Sequence, residues 1–397
     1  MIRHLLKLVW NRKRANALIV AEIFVSFLVI FAVVTGAITF ISNWMRPLGY
    51  DWHNVWSVRA DVEMHIGQEP DPRVHETLMR LLSEIRSFPQ VEAVAGSNTP
   101  PYIFSTQEWG TEINGKSVHM IVDDVTDDFA KVMRMKVVKG RFFTAEDDAA
   151  QYHPAVLDET AAKHLFGDTD PIGQKIQMRE DKDSFRVVGV VQSYRKDGEV
   201  QSPADMVFLR YMPNHKFGGV IRNIMIRVRP GTPAVFEQAL IERMQRIAPD
   251  RSFRARPMSQ TRDEALRFRL APLIAGGIVA LFLISMVGLG LTGVLWQNVT
   301  KRTREIGVRR AMGASGKQVN RQILLEVMLL TTIALIVGSV IVLQLPILGA
   351  FAIVTPAAFS TGFVLALATI YTLTVLCGLY PSWLASRLQP ADALRYE

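Results

Sequence analysis

Residues Gly110-Thr-Glu-Ile-Asn-Gly115-Lys116-Ser117 have the spacing of a phosphate-binding loop: two glycines separated by four residues, then a lysine and a hydroxyl. That chemistry needs a strand before the loop and a helix after it, because the helix's first amides hold the phosphates. Here residues 118–124, VHMIVDD, continue as a strand with no helical stripe. Asn114-Gly115 is instead a strong hairpin signal, since a type I′ turn needs positive φ at both positions. The stretch therefore reads as a hairpin. Paired carboxylates at Asp123-Asp124, Asp127-Asp128 and Asp147-Asp148 suggest calcium, yet none falls in EF-hand register. Counting from Asp168 puts Gly173 in place but Arg179 where the bidentate glutamate belongs. These acids read as solvated loop residues. His75-Glu76 is not followed by the second histidine of a zinc protease, and no Gly-x-Ser-x-Gly elbow occurs. The chain offers no catalytic constellation, so it is expected not to be an enzyme and to bind no metal or cofactor itself.

A different concentration of charge lies at KRTREIGVRRAMGAS, from Lys301 to Ser315. Seven basic residues fall between Asn298 and Gln322, with Glu305 the one acid. Val299, Thr303, Ile306 and Arg310 share one helical stripe, with Lys301, Arg302 and Arg309 around it. Gly313 is placed to end that helix, and Ser315-Gly-Lys-Gln318 is a capping box that starts the next. The pattern predicts a short helix along a membrane surface, a glycine turn, and re-entry.

The elements around this segment explain the surface. A membrane-crossing helix needs about 20 mostly apolar residues. Four stretches qualify: about Ala15 to Ile41, residues 271–296, about Val327 to Phe351, and about Ala357 to Ala385. The first is too long for a signal-peptide core and reads as a retained anchor. It contains one charge, Glu22, eight residues beyond Arg14, which reads as a structural pairing group near the interface rather than a proton carrier. Spans two to four read as lacking the polar residues of a hydrophilic channel. Residues 1–16 hold five basic residues and no acid, whereas 346–356 has no charge. By the positive-inside rule the N-terminus, the 298–322 loop and the C-terminus are cytoplasmic, and 43–270 lies outside. Ile2, Leu5, Leu6 and Val9 share one face ahead of the first span, as an interfacial helix requires.

The net charge of +8 and pI near 9.6 do not indicate nucleic-acid binding, because residues 43–270 carry 31 basic and 32 acidic residues. The excess belongs to the flanks of the apolar spans. The single Cys377 lies in an apolar run and excludes an internal disulfide or a cysteine zinc site. Within 43–270, VWSVRA (55–60), a helix through Val74, Leu78, Leu81, Leu82 and Ile85, and VEAVAG (91–96) form one strand–helix–strand unit. IMIRVRP (224–230), a helix from Pro233 to about Ile247, and SFRARP (252–257) form another. Two such units suit a ferredoxin-like lobe, with 100–220 inserted as short strands such as RVVGVV (186–191). Thr261 to Glu264 reads as a capping box opening a helix that runs to Trp296, about 52 Å at 1.5 Å per residue, long enough for a stalk above the bilayer.

The fold class expected is an α-helical membrane protein with four transmembrane helices and an α+β two-lobed extracytoplasmic domain inserted between the first and second. The segments are 1–14 (interfacial helix), 15–42 (span one), 43–265 (outer domain; ferredoxin-like lobe at about 50–98 plus 221–260, inserted lobe at about 100–220), and 266–297 (span two and stalk). They continue as 298–322 (cytoplasmic loop), 323–351 (span three), 357–385 (span four) and 386–397 (tail).

VTKRTREIGVRRAMGAS, followed by Glu326, resembles the signature of FtsX/MacB-type ABC transporter permeases. DDFAKVMRMKVVKGRFFTAEDD (127–148), LFGDTDPIGQKI (165–176) and FRVVGVVQSY (185–194) resemble that family's MacB-like periplasmic core domain, and residues 380–397 its usual ending. The resemblance implies a permease subunit in the bacterial cytoplasmic (inner) membrane. It would be paired with a second permease copy or homologue and driven by a cytoplasmic ABC ATPase that binds ATP and Mg. The chain opens directly on its membrane segment, like members whose ATPase is a separate polypeptide. The resemblance makes a coupling helix of Lys301, Arg302, Arg304, Glu305, Ile306, Gly307, Arg309, Arg310, Ala311, Met312, Gly313 and Ala314. Its work would be mechanotransmission, exporting a drug, peptide, lipid or lipoprotein, with room for a periplasmic adaptor or an extracellular substrate protein. The cell-division branch implies the alternative of a force-transmitting regulator of an extracellular cell-wall hydrolase.

Overall fold

The computed structural model describes residues 13–61, 72–113, 116–177, 184–212, 221–301, 308, 312, 315–349 and 354–387. The chain divides into two units, Asn43–Arg269 and a unit made of the flanking segments Met1–Ser42 and Leu270–Glu397.

In the first unit, strands β1 (Val55–Asp61) and β2 (Val91–Ser97) flank helix α1 (Pro72–Arg86). Near its other end, β10 (Asn223–Val228) and β11 (Ser252–Pro257) flank α2 (Phe236–Ile247). The four strands pair antiparallel in the order β11-β1-β10-β2. That is the ferredoxin-like order its two strand–helix–strand units predict. Leu78, Leu81, Leu82 and Ile85 of α1 and Phe236, Leu240 and Met244 of α2 are buried against Val58, Val94, Ile226 and Phe253 on one sheet face. Each such apolar side chain contributes roughly 1.5–3 kcal/mol when fully buried.

The inserted lobe contains β3 (Gln107–Ile113), β4 (Lys116–Val125), α3 (Phe129–Met133), β5 (Val137–Gly140) and a 3₁₀ turn (Ala145–Ala149). It continues with β6 (His153–Asp158), α4 (Glu159–Phe166), β7 (Lys175–Gln177), β8 (Ser184–Val191) and β9 (Met206–Arg210). Strands β3 and β4 pair antiparallel up to Ile113↔Lys116, so the false phosphate loop is a hairpin whose two turn residues lie outside the described ones. The helices of this lobe escape the sequence reading because they are too short to show a period. Asp158 nevertheless caps α4, accepting from the Ala161 amide at 2.8 Å.

The lobes are not separate layers. One sheet runs β11-β1-β10-β2-β4-β9-β6-β8-β5, and its two halves join at a single register pair, Ser97↔Val125. The second face of the ferredoxin half, at Val55, Ala93, Ala95 and Met225, packs on Phe129, Val132 and Met133 of the insert. Arg227, fully buried on β10, fastens that contact: Nε donates to the Val132 carbonyl at 2.6 Å, Nη1 to the His53 carbonyl at 2.8 Å, and Nη2 to the Asp51 carbonyl at 2.6 Å. The guanidinium's planar fork suits three separate acceptors as a lysine could not.

The second unit holds the spans. Helices α5 (Lys13–Trp44), α6 (Met258–Lys301), α7 (Gly316–Gln344) and α8 (Pro356–Arg387) are each long and apolar enough to cross a membrane; α5 precedes β1 in the chain, and both α5 and α6 run through the unit boundary. Phe27, Phe31, Leu291, Leu335 and Ile370 form their shared core. Phe31 meets Phe359 edge-on at 5.2 Å. A Cβ at Gly362 would lie 2.1 Å from the Thr35 hydroxyl, so α5 and α8 approach closely only because that position is glycine.

Several expectations need correction. Asp123, Asp124 and Asp147 are buried rather than solvated, Asp147 against Arg141, and α2 starts at Phe236 rather than Pro233. Helix α6 starts at Met258, directly after β11, rather than at Thr261. Thr261 is thus inside the helix and not its cap; Glu264 instead pairs with Arg256 at 3.2 Å, and buried Met258 anchors the first turn. Span three ends at Gln344 rather than Phe351, because Pro346 follows and has no amide hydrogen with which to continue the helical ladder. The spans also carry hydroxyls, and some of these pair: Thr331 and Thr374 lie 3.1 Å apart, and Thr332 and the Tyr371 hydroxyl 3.2 Å. Such pairs join α7 to α8 rather than line a polar channel. Glu22 is half-buried with its carboxylate toward Gly290; the side chain of Arg14, its expected partner, lies outside the described residues, as does the 1–12 interfacial segment.

Candidate functional site

Of the expected coupling residues, Lys301 is the last residue of α6 and Met312 is described. Arg302, Arg304, Glu305, Ile306, Gly307, Arg309, Arg310, Ala311, Gly313 and Ala314 lie outside the described residues. The Met312 amide donates to the Val308 carbonyl at 3.0 Å, a helical-turn bond. Met312 is 76% and Val308 41% exposed. Four apart, they share one side of a turn and present apolar surface. Beyond them the Ser315 cap forms as expected: the Ser315 hydroxyl accepts from the Gln318 amide, and Gln318 Oε1 accepts from the Ser315 amide at 3.0 Å.

A second constellation, missed by the sequence reading, lies in the Asn43–Arg269 unit. Residues 195–202, RKDGEVQS, follow β8 and grip both ends of that unit's chain. At the first end, buried Arg195 donates from Nη1 to the carbonyls of Asn43 at 2.7 Å and Arg46 at 3.1 Å. Its Nη2 donates to the Glu199 and Gln201 carbonyls at 2.7 and 2.6 Å, so the guanidinium is spent wholly on backbone. Asn43 answers with Nδ2, donating to the Val200 carbonyl at 3.0 Å and the Ser202 hydroxyl at 3.3 Å. At the second end, Arg262 and Arg269 stand seven apart on α6, two turns along one face. Arg262 Nε pairs with Glu199 Oε1 at 2.6 Å and stacks over Trp52 at 4.7 Å. Arg269 pairs with Asp197 at 2.9 Å and donates to Gln201 Oε1 at 3.0 Å.

The loop that joins these ends is itself built tightly. Gly198 has φ +82°, and a Cβ there would meet Tyr102 Cε1 at 2.4 Å. The Tyr102 hydroxyl donates to Glu199 Oε2 at 3.4 Å, and the Tyr50 hydroxyl donates to the Arg195 carbonyl at 3.2 Å. Burial pushes the Lys196 ammonium below the usual lysine range, against the opposing pull of Asp197 and Asp123. Burial raises Asp123 to about 6, despite hydrogen bonds from the Thr99 amide and the Ser97 hydroxyl and the nearby Lys196 charge. This arrangement has no nucleophile beside a base; its chemistry is mechanical fastening. Among the described residues no group of three or more His, Cys, Asp or Glu could hold a metal ion. The sequence signal was present but faint: a dense charge run after a buried strand, and two arginines at heptad spacing on the stalk.

The MacB-like periplasmic core domain family matches residues 16–243, more than half of the chain, and the FtsX-like permease C-terminal family matches residues 277–390. The chain belongs to the MacB/FtsX-type ABC permeases. It is thus a multi-pass membrane protein with four spans and a MacB-like core domain between the first two. The Macrolide export ATP-binding/permease protein MacB of Wolinella succinogenes is 27% identical over 82% of this chain and 49% of its own length. The protein of that name from Chlorobium luteolum is 25% identical over 94% of this chain and 56% of its own. This MacB/FtsX-type permease spans about half the length of the curated relatives it matches. Among solved structures, the periplasmic region of MacB from Actinobacillus actinomycetemcomitans is similar at 18% identity and a TM-score of 0.40, covering 56% of this chain and 96% of that one.

Proposed function

We propose that this permease is the force-transmitting subunit of an ABC exporter whose ATP hydrolysis is performed by a separate cytoplasmic ATPase. Residues Lys301 to Ala314 are the ATPase-docking segment, with Glu305, Ile306, Gly307, Arg309 and Met312 as its main contacts. The N-terminus, this segment and the C-terminus face the cytoplasm, and the Asn43–Arg269 unit faces outward, as the distribution of basic residues favours. Two permease copies, or one copy and a homologue, work as a pair.

The observation that carries this reading is the double grip of residues 195–202. Whatever moves α5 at Asn43 or α6 at Arg262 and Arg269 moves the inserted lobe, because bonds to Arg195, Glu199 and Asp197 tie all three positions to one loop. The helix Met258–Lys301 carries Arg262 and Arg269 and ends at the proposed docking segment. ATP-dependent closing of the ATPase pair biases a two-state element only if the two nucleotide states favour different arrangements of it. The stalk formed by α5 and α6 is that element. The cargo is a drug, peptide, lipid or lipoprotein handled at the outer leaflet or outer face, which requires no polar route through the spans.

The test is a nucleotide-dependent distance measurement between spin labels on the outer units of the two permease copies, in the ATPase-bound complex with and without vanadate-trapped nucleotide. A distance change that disappears in Glu199→Ala with the ATPase still bound supports the reading. An unchanged response in that variant contradicts it.

A further inference from the structure

We infer that Phe104 is a lipid-contacting prong, carried by the loop 98–106 to the headgroup layer of the leaflet that α6 enters. The inference rests on α6 entering a bilayer near Leu270 and does not depend on the coupling to an ATPase.

Single exposed apolar residues are ordinary, but Phe104 is exposed in company. It is 59% exposed and Phe268 68%, and their rings meet edge-on at 5.0 Å although the residues lie far apart in sequence. The Arg269 guanidinium sits over the Phe104 ring, 5.6 Å from its centroid. Two exposed aromatic rings in contact, with the exposed Arg267 beside Phe268 in the chain, are the composition of an interfacial anchor, apolar body inward and charge at the headgroups.

The loop is held in this pose at some cost. Lys196, 3% exposed, donates from Nζ to the Ile103 carbonyl at 2.9 Å and the Ser105 carbonyl at 2.8 Å. The two carbonyls flank Phe104, so the buried ammonium fixes the backbone on either side of the projecting ring. Tyr102, two residues earlier, takes φ +65°, a left-handed conformation that an aromatic residue rarely adopts. Buried cations and left-handed aromatic residues persist where the surroundings over-determine them. Here they hold an apolar side chain out of the fold rather than in it.

Depth follows from the helix. From Leu270 to Thr300 the chain has no charged residue, and these 31 residues of α6 span about 46 Å at 1.5 Å per residue. A bilayer with its headgroups is about 40–45 Å thick. The charge-free stretch fills that thickness, which leaves Phe268, Arg267 and Arg269 at the outer rim. Phe104, in contact with Phe268, shares that level. The partner is therefore the phospholipid surface itself: phosphates for the exposed Arg267 and the upper acyl region for the rings.

The experiment uses the full chain in vesicles of phosphatidylethanolamine and phosphatidylglycerol, in a Cys377→Ser background. Nitroxide labels are placed at Phe104→Cys, Phe268→Cys and Asp250→Cys; the exposed Asp250 stands at the end of β11 remote from α6. Relaxation enhancement by oxygen, which partitions into lipid, is compared with that by a water-soluble nickel chelate. The oxygen-to-nickel ratio at 104 is expected to match that at 268 and to exceed that at 250 several-fold. A ratio at 104 equal to that at 250 overturns the proposal, because the loop then faces water. An immobilised label at 104 that neither agent reaches also overturns it, because protein then covers the site. A water-like ratio at 268 removes the depth argument and overturns it equally.

Discussion

Arg195 and Asn43, remote in sequence, hold each other by reciprocal bonds: the arginine donates to the Asn43 backbone carbonyl at 2.7 Å, while the Asn43 amide donates into the loop that Arg195 begins, at the Val200 carbonyl, 3.0 Å away. Both residues are buried. The end of α5 is therefore a fixed point of the Asn43–Arg269 unit rather than a free linker. Replacing Arg195 with Met keeps the stem but strands the carbonyls of Arg46, Glu199 and Gln201 and leaves that of Asn43 with the Arg46 amide alone. Each buried unpaired group costs about 1–3 kcal/mol. Thermal unfolding of the full chain in detergent should shift down by roughly 6 °C or more, at about 2–4 °C per kcal/mol for a unit of this size. A shift under about 2 °C would mean that water replaces the arginine without loss.

The pair Arg262–Glu199 joins α6 to the same loop, and its side chains are mostly shielded from solvent. Substituting each by Ala, singly and together, should give non-additive losses with a coupling of about 1 kcal/mol or more, as contacting charged partners do. Additive losses would show that Trp52, stacked on the guanidinium, rather than Glu199 secures the stalk.

Gly198 makes the turn between those anchors. Ala there must take φ +82° and push its Cβ against the Tyr102 ring. Destabilisation of about 2 kcal/mol or more is expected from the strained φ and the clash together. Gly231 shows the contrast: its φ is +83° but a Cβ added there would meet nothing within 4 Å, so Ala should cost about 1 kcal/mol from the backbone alone. Equal losses at the two sites, read from chemical unfolding, would refute a close fit at Gly198.

Asp123 gives the Asn43–Arg269 unit a pH dependence of definite sign. Its carboxyl is raised by burial to about 6 in the folded state, above its value in the unfolded chain. The folded state therefore holds a proton between about pH 4 and 6 that the unfolded chain has released, and its contribution to stability falls as pH rises through that window. Asp158, also raised to about 6 by burial, acts in the same direction. Measured against Asp123→Asn, which cannot titrate, wild type should lose on the order of 1 kcal/mol of relative stability between about pH 5 and 7. A difference that stays constant or grows with pH would show that Asp123 remains ionised throughout.

The ferredoxin-like half was legible because each strand and helix shows its own period. Leu78, Leu81, Leu82 and Ile85 mark the helix, and IMIRVRP alternates as a strand. Spans were legible by length and lack of charge, although Pro346 ends α7 sooner than hydropathy alone suggested. The 195–202 grip was not legible. Its residues form no repeating pattern, and its partners Asn43, Arg262 and Arg269 stand far from it in the sequence. Long-range polar fastening leaves single residues, not periods, in a sequence. The glycines and lysine that did form a pattern at 110–117 proved to be a hairpin, because local spacing carries no information about the element that follows it.

The most direct measurement is purification of the tagged full chain from its native membrane in mild detergent, with wild type beside Glu305→Arg and Met312→Glu. The expected result is an ABC ATPase that accompanies wild type and is lost from both variants, while all three fold and insert equally. If no ATPase accompanies wild type, or if both variants retain it, the exposed turn at Val308 and Met312 is not a docking surface and the proposed coupling has no motor.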